Sequence, residues 1–250
     1  MNNLLLKILN KDGNARASEL IVNNKTINTP TFMPVATRGT IKSTPHTFLN
    51  STQVLLANTY HLHLRPGSKI IKELGGIHKF MNWDKVILTD SGGFQAWSLP
   101  TKIQKDGVIF KNVYDGSSFE MTPELSIEIQ NNLGSDIAMI FDCLIDIDDV
   151  KQKQIEAINL TREWGSRAKE QHKNNKQSLF GIIQGGLHKD LRELSAKYMV
   201  DQEYDGYAIG GLAIGESRLE RKEIVKFTSS LLPEESPKYV MGLGRYTWFD

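Results

Sequence analysis

Residues 86–95 read VILTDSGGFQ, an apolar run that ends in an aspartate and a pair of glycines. Three later stretches have the same form: IAMIFD (137–142), LFGIIQGG (179–186) and YAIGGLAIGE (207–216). Parallel strands of α/β barrels and open sheets present their chemistry at their carboxyl ends. We therefore expect the four polar ends to lie together and to form one small polar pocket.

Short β-branched runs alternate with polar, helix-like stretches along most of the chain, which favours a parallel sheet with right-handed crossovers. The runs predict strands at residues 31–35, 54–57, 86–89, 137–141, 179–183, 207–209 and 239–241. The polar stretches predict helices at residues 122–133, 149–174, 189–200 and 217–232. The sequence therefore predicts the α/β class.

Residues 95–118 interrupt this alternation. The stretch GVIFKNVYDGSSFEM (107–121) predicts a β-hairpin with its turn at Asp115-Gly116, an excursion above the sheet. The seven predicted strands are one fewer than the eight that close a TIM (β/α)8 barrel. We therefore predict one domain over residues 1–250, an incomplete barrel of about seven strands.

The composition is ordinary for a globular protein, with 40% hydrophobic and 24% charged residues among 250. No apolar run is long enough for a membrane span, and the amino-terminal segment is too short and polar for a signal peptide. The single cysteine, Cys143, permits no internal disulfide, so a reducing cytoplasm is expected. The net charge of +1 gives no overall positive field, so a nucleic-acid partner would need a local basic patch.

Asp90 and Asp142 each follow a predicted strand. Two carboxylates at one edge of a sheet are the minimum for acid–base chemistry on a polar heterocycle or a sugar. A carboxylate also accepts hydrogen bonds from adjacent N–H groups, which guanine presents at N1 and N2. Each aspartate has a simpler interpretation, Asp90 as the cap of the Ser91-Gly92-Gly93 turn and Asp142 as the partner of a helix lysine or arginine.

Other candidate binding groups follow the later strands. Gln184 is an amide that can donate and accept at once, which suits the carbonyl edge of a purine. Gly210 and Gly211 would offer free amides to the same oxygen. Phe94 and Met241 could enclose a flat ring from two faces, although both residue types more often pack in cores.

The histidines give a poor metal signal. Residues 60–63, YHLH, alternate like a strand, but no carboxylate or cysteine stands at metal-ligand spacing nearby. The sequence also lacks GxGxxG, phosphate-loop, HExxH and GxSxG patterns. This argues against dinucleotide enzymes, NTPases and serine hydrolases.

Six blocks occur in order: TFMPVAT (31–37), ANTYHLHLRPG (57–67), LTDSGGFQ (88–95), FGIIQGG (180–186), AIGGLAIGE (208–216) and YVMGLG (239–244). Together they resemble the bacterial tRNA-guanine transglycosylases, also called queuine tRNA-ribosyltransferases. The resemblance implies a TIM barrel with insertions. It also implies a cytoplasmic reaction that replaces guanine at the wobble position of tRNAs with GUN anticodons by preQ1, a queuosine precursor.

The resemblance implies roles for individual residues. Asp90 matches the catalytic aspartate that accepts a proton, and Asp142 matches the aspartate that reads the N1/N2 edge of the base. The Leu212 carbonyl matches the group that can receive the aminomethyl group of preQ1. The other candidate base-binding residues are Ser91, Gly92, Gly93, Phe94, Gln184, Gly210, Gly211 and Met241. The candidate RNA-binding residues are Gly242, Gly244 and Arg245.

The end of the sequence departs from the family pattern. In the family the MGxG block precedes a strand whose aspartate is the covalent nucleophile, and then a Cys-x-Cys-x-x-Cys plus His zinc subdomain. Here Asp250 comes too soon after Gly244 to match that nucleophile. We therefore expect a carboxyl-terminal truncation, no metal ligands or cofactor in this chain, and poor stability and no turnover when it is alone. A homodimer or a complementing carboxyl-terminal part would be its protein partner.

Two other functions compete with the transglycosylase interpretation. The first is a non-catalytic subunit that binds tRNA or a base and pairs with a complete paralogue. The second is an unrelated TIM-barrel enzyme acting on sugar phosphates, which the lack of a glycine-rich phosphate loop after a late strand disfavours. Base binding that requires a partner for turnover would favour the subunit.

Overall fold

The computed structural model describes residues 4–244. The strands are β1 (Leu4–Asp12), β2 (Ala15–Val22), β3 (Lys25–Thr29), β4 (Val54–Ala57), β5 (Val86–Thr89), β6 (Thr101–Ile103), β7 (Val108–Lys111), β8 (Ser118–Met121), β9 (Ile137–Met139), β10 (Ser178–Ile183), β11 (Gly206–Ile209) and β12 (Lys238–Val240). The helices are α1 (Thr59–Leu64), α2 (Ser68–Glu73), α3 (Ile77–Met81), α4 (Gly93–Ser98), α5 (Pro123–Leu133), α6 (Lys151–Gln171), α7 (Lys189–Asp201) and α8 (Arg218–Ser230).

The central element is a six-stranded parallel sheet in the order β4-β5-β9-β10-β11-β12. Each new strand is added on the same side of its predecessor, so right-handed connections place all crossover helices on one face. Neighbouring helices α5, α6, α7 and α8 pack against one another in the same order. This single direction of winding is typical of a barrel wall, whereas a doubly wound sheet reverses its order.

Both faces of the sheet are buried. Along β4, Val54 and Leu56 pack into one apolar cluster, whereas Leu55 and Ala57 pack into a second. This alternation follows from the two-residue period of a strand, and the absence of a polar face is typical of parallel sheets covered on both sides. The continuous apolar runs in the sequence therefore predicted this sheet correctly.

Strands β1, β2 and β3 form an antiparallel sheet at the amino-terminal edge of the parallel sheet. The turn between β2 and β3 consists of Asn23 and Asn24, which both have positive φ, as a two-residue hairpin turn of type I′ requires. The side-chain amide of Asn23 donates to the carboxylate of Asp136, just before β9. The small sheet is thereby tied to the edge opposite the one that carries the polar strand ends.

Asp136 is a buried carboxylate that joins four parts of the chain. It accepts hydrogen bonds from the Ile87 amide at 2.9 Å and from the Lys25 ammonium at 3.1 Å. His78 Nε2 lies 3.0 Å from the second carboxylate oxygen. Burial opposes ionisation, but the hydrogen bonds and the nearby His78 lower the pKa of Asp136 overall.

We expect Asp136→Asn to lower the free energy of unfolding by about 2 to 3 kcal/mol, because it removes charge-assisted hydrogen bonds from a buried group. Urea denaturation at pH 7 measures this loss. Since the folded-state pKa is depressed, the contribution of Asp136 is present above pH 3.8 and is lost on acidification below it. The matched control Glu223→Gln breaks an exposed pair with Lys189 and should change stability by less than about 0.5 kcal/mol. Equal effects of the two changes would contradict this account.

The predicted excursion is confirmed. Strands β7 and β8 form an antiparallel hairpin whose connection contains Asp115 and Gly116, and β6 extends it to a three-stranded sheet. The turn is held by Asp115, whose carboxylate accepts from the amide and the hydroxyl of Ser117. Residues 95–98, the first part of the interrupting stretch, belong to α4 instead.

One predicted strand is absent, and one strand-like stretch forms a helix. Residues 31–35 form no strand, although Val35 makes a single parallel bridge with Leu56. Pro30 and Pro34 have no N–H to donate, so this segment can form only part of a ladder with β4. Residues 60–63 lie in α1, because Asn58 caps that helix by accepting from the His61 amide.

The long predicted helices are confirmed, with ends that follow their caps. Thr122 accepts from the Leu125 amide ahead of Pro123, which favours the first helical position of α5. Ser217 and Glu220 form a capping box at the start of α8. Within residues 4–244, the helices are all too short or too polar to cross a membrane.

Candidate functional site

The carboxyl edge of the parallel sheet brings three predicted polar groups together. The Gln184 side-chain amide donates to Asp142 Oδ2 at 2.6 Å, and Ser91 Oγ donates to Asp142 Oδ1 at 3.2 Å. Ser91 directly follows Asp90, whose charge interacts with that of Asp142. The ends of β5, β9 and β10 therefore converge on one site, as the sequence predicted.

Asp90 is partly buried, and both of its carboxylate oxygens accept hydrogen bonds. One carboxylate oxygen accepts from the Thr59 amide at 2.9 Å and the other from the Asn58 side chain at 2.6 Å. The Gly92 amide is also a donor. Burial outweighs these hydrogen bonds and raises the pKa of Asp90 to about 7, and the Asp142 charge adds to the rise. The carboxylate can therefore take up a proton near neutral pH.

The Asp142 carboxylate packs directly against the backbone of the turn formed by residues 90–93. A Cβ on Gly93 would stand 2.0 Å from Asp142 Oδ1, so only glycine allows this approach. Burial raises the pKa of Asp142 to about 6, against the lowering effect of its hydrogen bonds from Gln184 and Ser91. Neighbouring Cys143 is buried, and burial with the adjacent Asp142 charge raises the pKa of its thiol to about 12.

The glycines after β11 differ in what they offer. A Cβ on Gly211 would lie 2.5 Å from Gln184 Oε1, and its φ of +65° also favours glycine. The prediction of a free Gly210 amide was wrong, because that amide donates to the Ile183 carbonyl at 2.9 Å. This bond continues the hydrogen bonding between β10 and β11 by one residue. Leu212, the residue that follows Gly211, is buried.

Arg192 is a site component that the sequence did not indicate. This residue of α7 is fully buried, and its guanidinium donates to the carbonyls of Gly186, Ile183, Gly210 and Gly211 at distances of 2.9, 3.1, 2.7 and 3.3 Å. Burial lowers its pKa to about 9, and the charge of Glu216 opposes that change. Arg192 thus fixes both loops that carry the candidate groups of β10 and β11.

We expect Arg192→Lys to lower the free energy of unfolding by about 3 kcal/mol, because an ammonium has three donors and cannot span four carbonyls. Urea denaturation measures the loss. Arg162→Lys is the matched control, since the guanidinium of the partly exposed Arg162 contacts the Tyr198 ring and lies 4.0 Å from Glu163. A loss at Arg192 no greater than at Arg162 would show that the four hydrogen bonds do not stabilise the loops.

Glu216 is a second component of the site to which the sequence patterns assigned no role. Its buried carboxylate accepts from the amides of Ala213 and Ile214 at 2.7 and 3.1 Å. It also forms an ion pair with Arg221 at 2.8 Å. These bonds hold the loop after Leu212, including Ala213 at a positive φ of 63°.

The remaining predicted residues lie around this edge. Phe94 is half exposed and contacts the Trp97 ring at 5.5 Å, whereas Met241 is partly buried against the main apolar cluster. A Cβ on Gly242 would lie 3.5 Å from the Leu212 carbonyl oxygen, so this turn packs on the loop after β11. Gly244 is exposed. The roles of these residues stay predictions, and Arg245 lies outside the described residues.

Among residues 4–244, no group of three or more histidine, cysteine, aspartate and glutamate side chains is arranged to hold a metal ion. His61 and His63 are on α1, and burial lowers the pKa of both. The Nδ1 atom of each ring is buried without a hydrogen-bond partner. Burial therefore favours the neutral form of both rings.

The fold and the site together define an α/β protein with paired carboxylates and an amide at the carboxyl edge of a singly wound parallel sheet. Residues 11–248 match the family model described as queuine tRNA-ribosyltransferase. The chain is 49% identical to a queuine tRNA-ribosyltransferase of Caldanaerobacter subterraneus and 50% identical to one of Thermoanaerobacter pseudethanolicus, over 95% of its own length in each case. It is 46% identical to the one of Enterococcus faecalis over 94%. The chain belongs to the queuine tRNA-ribosyltransferase family.

The chain spans about 65% of the length of the first two of these curated relatives and 64% of the third. Nearly all of this chain therefore supports the family assignment, but the match covers less than two thirds of the length of these relatives. The residues at the polar edge of the sheet all fall within the matched part.

Proposed function

We propose that the chain carries the base-binding and proton-accepting part of a tRNA-guanine transglycosylase. Its substrate would be guanine at the wobble position of tRNAs with GUN anticodons, exchanged for preQ1 in the cytoplasm. The observation that carries this proposal is the pair of carboxylates at one sheet edge, the buried Asp142 held by Gln184 and Ser91 and the partly buried Asp90 beside it. The names of the family's members support it.

Asp142 has the chemistry to read guanine. An ionised carboxylate is an acceptor only, and guanine presents two neighbouring donors at N1 and N2. The side-chain amide of Gln184 has two protons, so it can keep its bond to Asp142 and donate the second to the O6 atom of the base. Among the described residues the Gly211 amide has no acceptor of its own, which suits the same oxygen.

Asp90 would act on the incoming base. In a retaining exchange a carboxylate attacks the ribose C1′ while the bond to guanine breaks, and the departing guanine takes up a proton from solvent, which leaves a covalent tRNA intermediate. The incoming preQ1 then gives a ring proton to Asp90, and its nitrogen displaces the enzyme carboxylate with a second inversion. A pKa of about 7 suits Asp90 to accept that proton near neutral pH. The family's nucleophile falls after the MGxG block, outside the described residues.

A wall of six parallel strands wound in one direction supports a TIM-type barrel, with residues 1–250 as one domain. The target nucleotide must leave its anticodon loop to reach Asp90, which costs a few kcal/mol. Leu212, whose carbonyl adjoins the turn at Gly242, would receive the aminomethyl group of preQ1.

Calorimetric titration with guanine, hypoxanthine and adenine tests the base assignment. Guanine should bind most tightly. Hypoxanthine lacks the N2 amino group and should bind about 10- to 100-fold more weakly, because one hydrogen bond to a charged group is lost. Adenine places an acceptor at N1 against the carboxylate and should not bind measurably. Equal affinity for adenine and guanine would refute the proposed function.

A further inference from the structure

Two arginines converge on one exposed tyrosine beside the site. The guanidinium carbons of Arg65 and Arg38 lie 4.4 and 5.7 Å from the ring centroid of Tyr114. Arg38 follows the segment that bridges to β4, Arg65 directly follows α1, and Tyr114 is in the turn between β7 and β8. Three separate parts of the chain therefore build this cluster, which we call the arginine–tyrosine cluster.

The cluster has unneutralised positive charge. All three side chains are exposed, and within the described residues neither Arg38 nor Arg65 forms an ion pair. Asp115, the acidic residue next to Tyr114 in the sequence, accepts hydrogen bonds from the amide and the hydroxyl of Ser117. Two like charges over one ring repel each other, and a bound anion would remove that repulsion.

The cluster is close to Asp90. Helix α1 begins at Thr59, whose amide holds the Asp90 carboxylate, and its six residues end at Leu64 directly before Arg65. A helix of six residues is about 9 Å long. Tyr60 of α1 also packs on Phe110 of the hairpin, with ring centroids 4.9 Å apart, which fixes the turn that bears Tyr114. The Arg38 charge reaches this helix too, since it contributes to the lowered pKa of His61.

This chemistry fits a single strand of RNA. Guanidinium groups bind phosphates with two donors at once, and an exposed aromatic ring stacks on an unpaired base. When one nucleotide of a loop enters the site, the phosphates and bases next to it must lie close to the rim. An overall charge of +1 requires such binding to come from a local patch.

We propose that Arg38, Arg65 and Tyr114 bind the RNA loop next to the exchanged nucleotide, the arginines at phosphates and the tyrosine at a neighbouring base. The proposal rests on the proposed function, since it takes tRNA as the partner. It adds a binding surface in the amino-terminal half of the chain that is separate from the candidate RNA-binding residues Gly242, Gly244 and Arg245.

Fluorescence anisotropy with a labelled anticodon stem–loop RNA that carries a GUN anticodon tests the surface. The double variant R38Q/R65Q should bind at least tenfold more weakly at low salt. It should also lower the slope of log K against log salt by about 1.4, since each phosphate contact on a single strand contributes about 0.7. The charge-matched control K197Q/K226Q changes two exposed lysines of α7 and α8 and should leave affinity and slope within experimental error.

The tyrosine is tested separately. Tyr114→Ala should weaken RNA binding about fivefold or more through loss of stacking, whereas Tyr114→Phe, which keeps the ring, should bind within twofold of the unchanged chain. Unfolding curves of all variants should superimpose, because the three side chains are exposed. Guanine titration should give the same affinity for every variant.

The outcomes separate this surface from the proposed function. If R38Q/R65Q binds RNA like the lysine control while guanine still binds, the surface is refuted and the function stands. If guanine does not bind but R38Q/R65Q still weakens RNA binding selectively, the base assignment fails and the surface stands. If the unchanged chain does not bind the RNA at all, the surface is refuted.

Discussion

Asp142→Asn is expected to weaken guanine binding about 10- to 100-fold at pH 7.5. Asparagine offers one acceptor where the carboxylate offers two, and its amide would point a donor at a donor of the base. Loss of one hydrogen bond to a charged group corresponds to about 1.5 to 3 kcal/mol, and 1.4 kcal/mol is a factor of ten. Calorimetric titration of both proteins with guanine measures the change.

The matched control is Asp148→Asn, an exposed aspartate in the loop after Asp142. It makes the same chemical change outside the site and should bind guanine with unchanged affinity. The Asp142 variant should stay folded, because its amide oxygen can still accept the hydrogen bond from Gln184. Urea denaturation checks this. A folded Asp142 variant with undiminished guanine affinity would exclude Asp142 as the reader of the base.

The affinity of the unchanged chain should also depend on pH. Because burial raises the pKa of Asp142 to about 6, the carboxylate becomes protonated as pH falls through that value. Guanine affinity should therefore decrease between pH 7 and pH 5, and the Asp142→Asn variant should lack this decrease.

Asp90→Asn is expected to change how stability depends on pH, by on the order of 2 kcal/mol between pH 5 and pH 8. The carboxyl pKa is about 7 in the folded state and 3.8 in the unfolded state. The unfolded chain therefore ionises first, and the unchanged protein loses stability as pH rises from 3.8 to about 7. The asparagine variant has no such ionisation and should not show this loss.

Urea denaturation of both proteins at pH 5, 6.5 and 8 measures the difference. The hydrogen bonds from Asn58 and Thr59 give the substitution an additional effect of its own, but that effect is independent of pH. Asp148→Asn again serves as the control and should follow the unchanged chain at every pH. Parallel pH profiles for the Asp90 variant and the unchanged chain would show that Asp90 is not a carboxyl with a raised pKa.

The sheet and its polar edge could be predicted because the sequence shows both directly. Asp90, Asp142 and Gln184 each end a continuous apolar run, and such runs indicate strands buried on both faces. The carboxyl ends of parallel strands share one edge, so the three side chains had to be near one another. Their hydrogen bonds depend on loop geometry, which the runs do not determine.

Other features could not be read from local patterns. Arg192 lies on an amphipathic helix, where a charged residue usually faces solvent, and only the tertiary fold turns it to the sheet edge. Residues 60–63 alternate in polarity like a strand, but they form a helix whose first turn is capped by the Asn58 side chain. The Asn23-Asn24 pair between β2 and β3 was a usable signal for a hairpin, since asparagine tolerates positive φ, and it was missed.

The structure limits which of the candidate base-binding groups are free to bind a base. Gly210 was a candidate base-binding residue because it follows a predicted strand, yet its amide donates to the Ile183 carbonyl. A base carbonyl at this edge can therefore use the Gly211 amide but not that of Gly210. The loops that carry these groups are held from behind by Arg192 and Glu216, which neither alternation nor motif spacing indicated.

A crystal structure of the chain with guanine bound tests the central claim most directly. We predict that N1 and N2 of the base lie within hydrogen-bond distance of the Asp142 carboxylate, and that O6 faces Gln184 and Gly211. We also predict the imidazole edge toward Asp90. Guanine bound at another place, or bound here with its N1/N2 edge turned away from Asp142, would contradict the account.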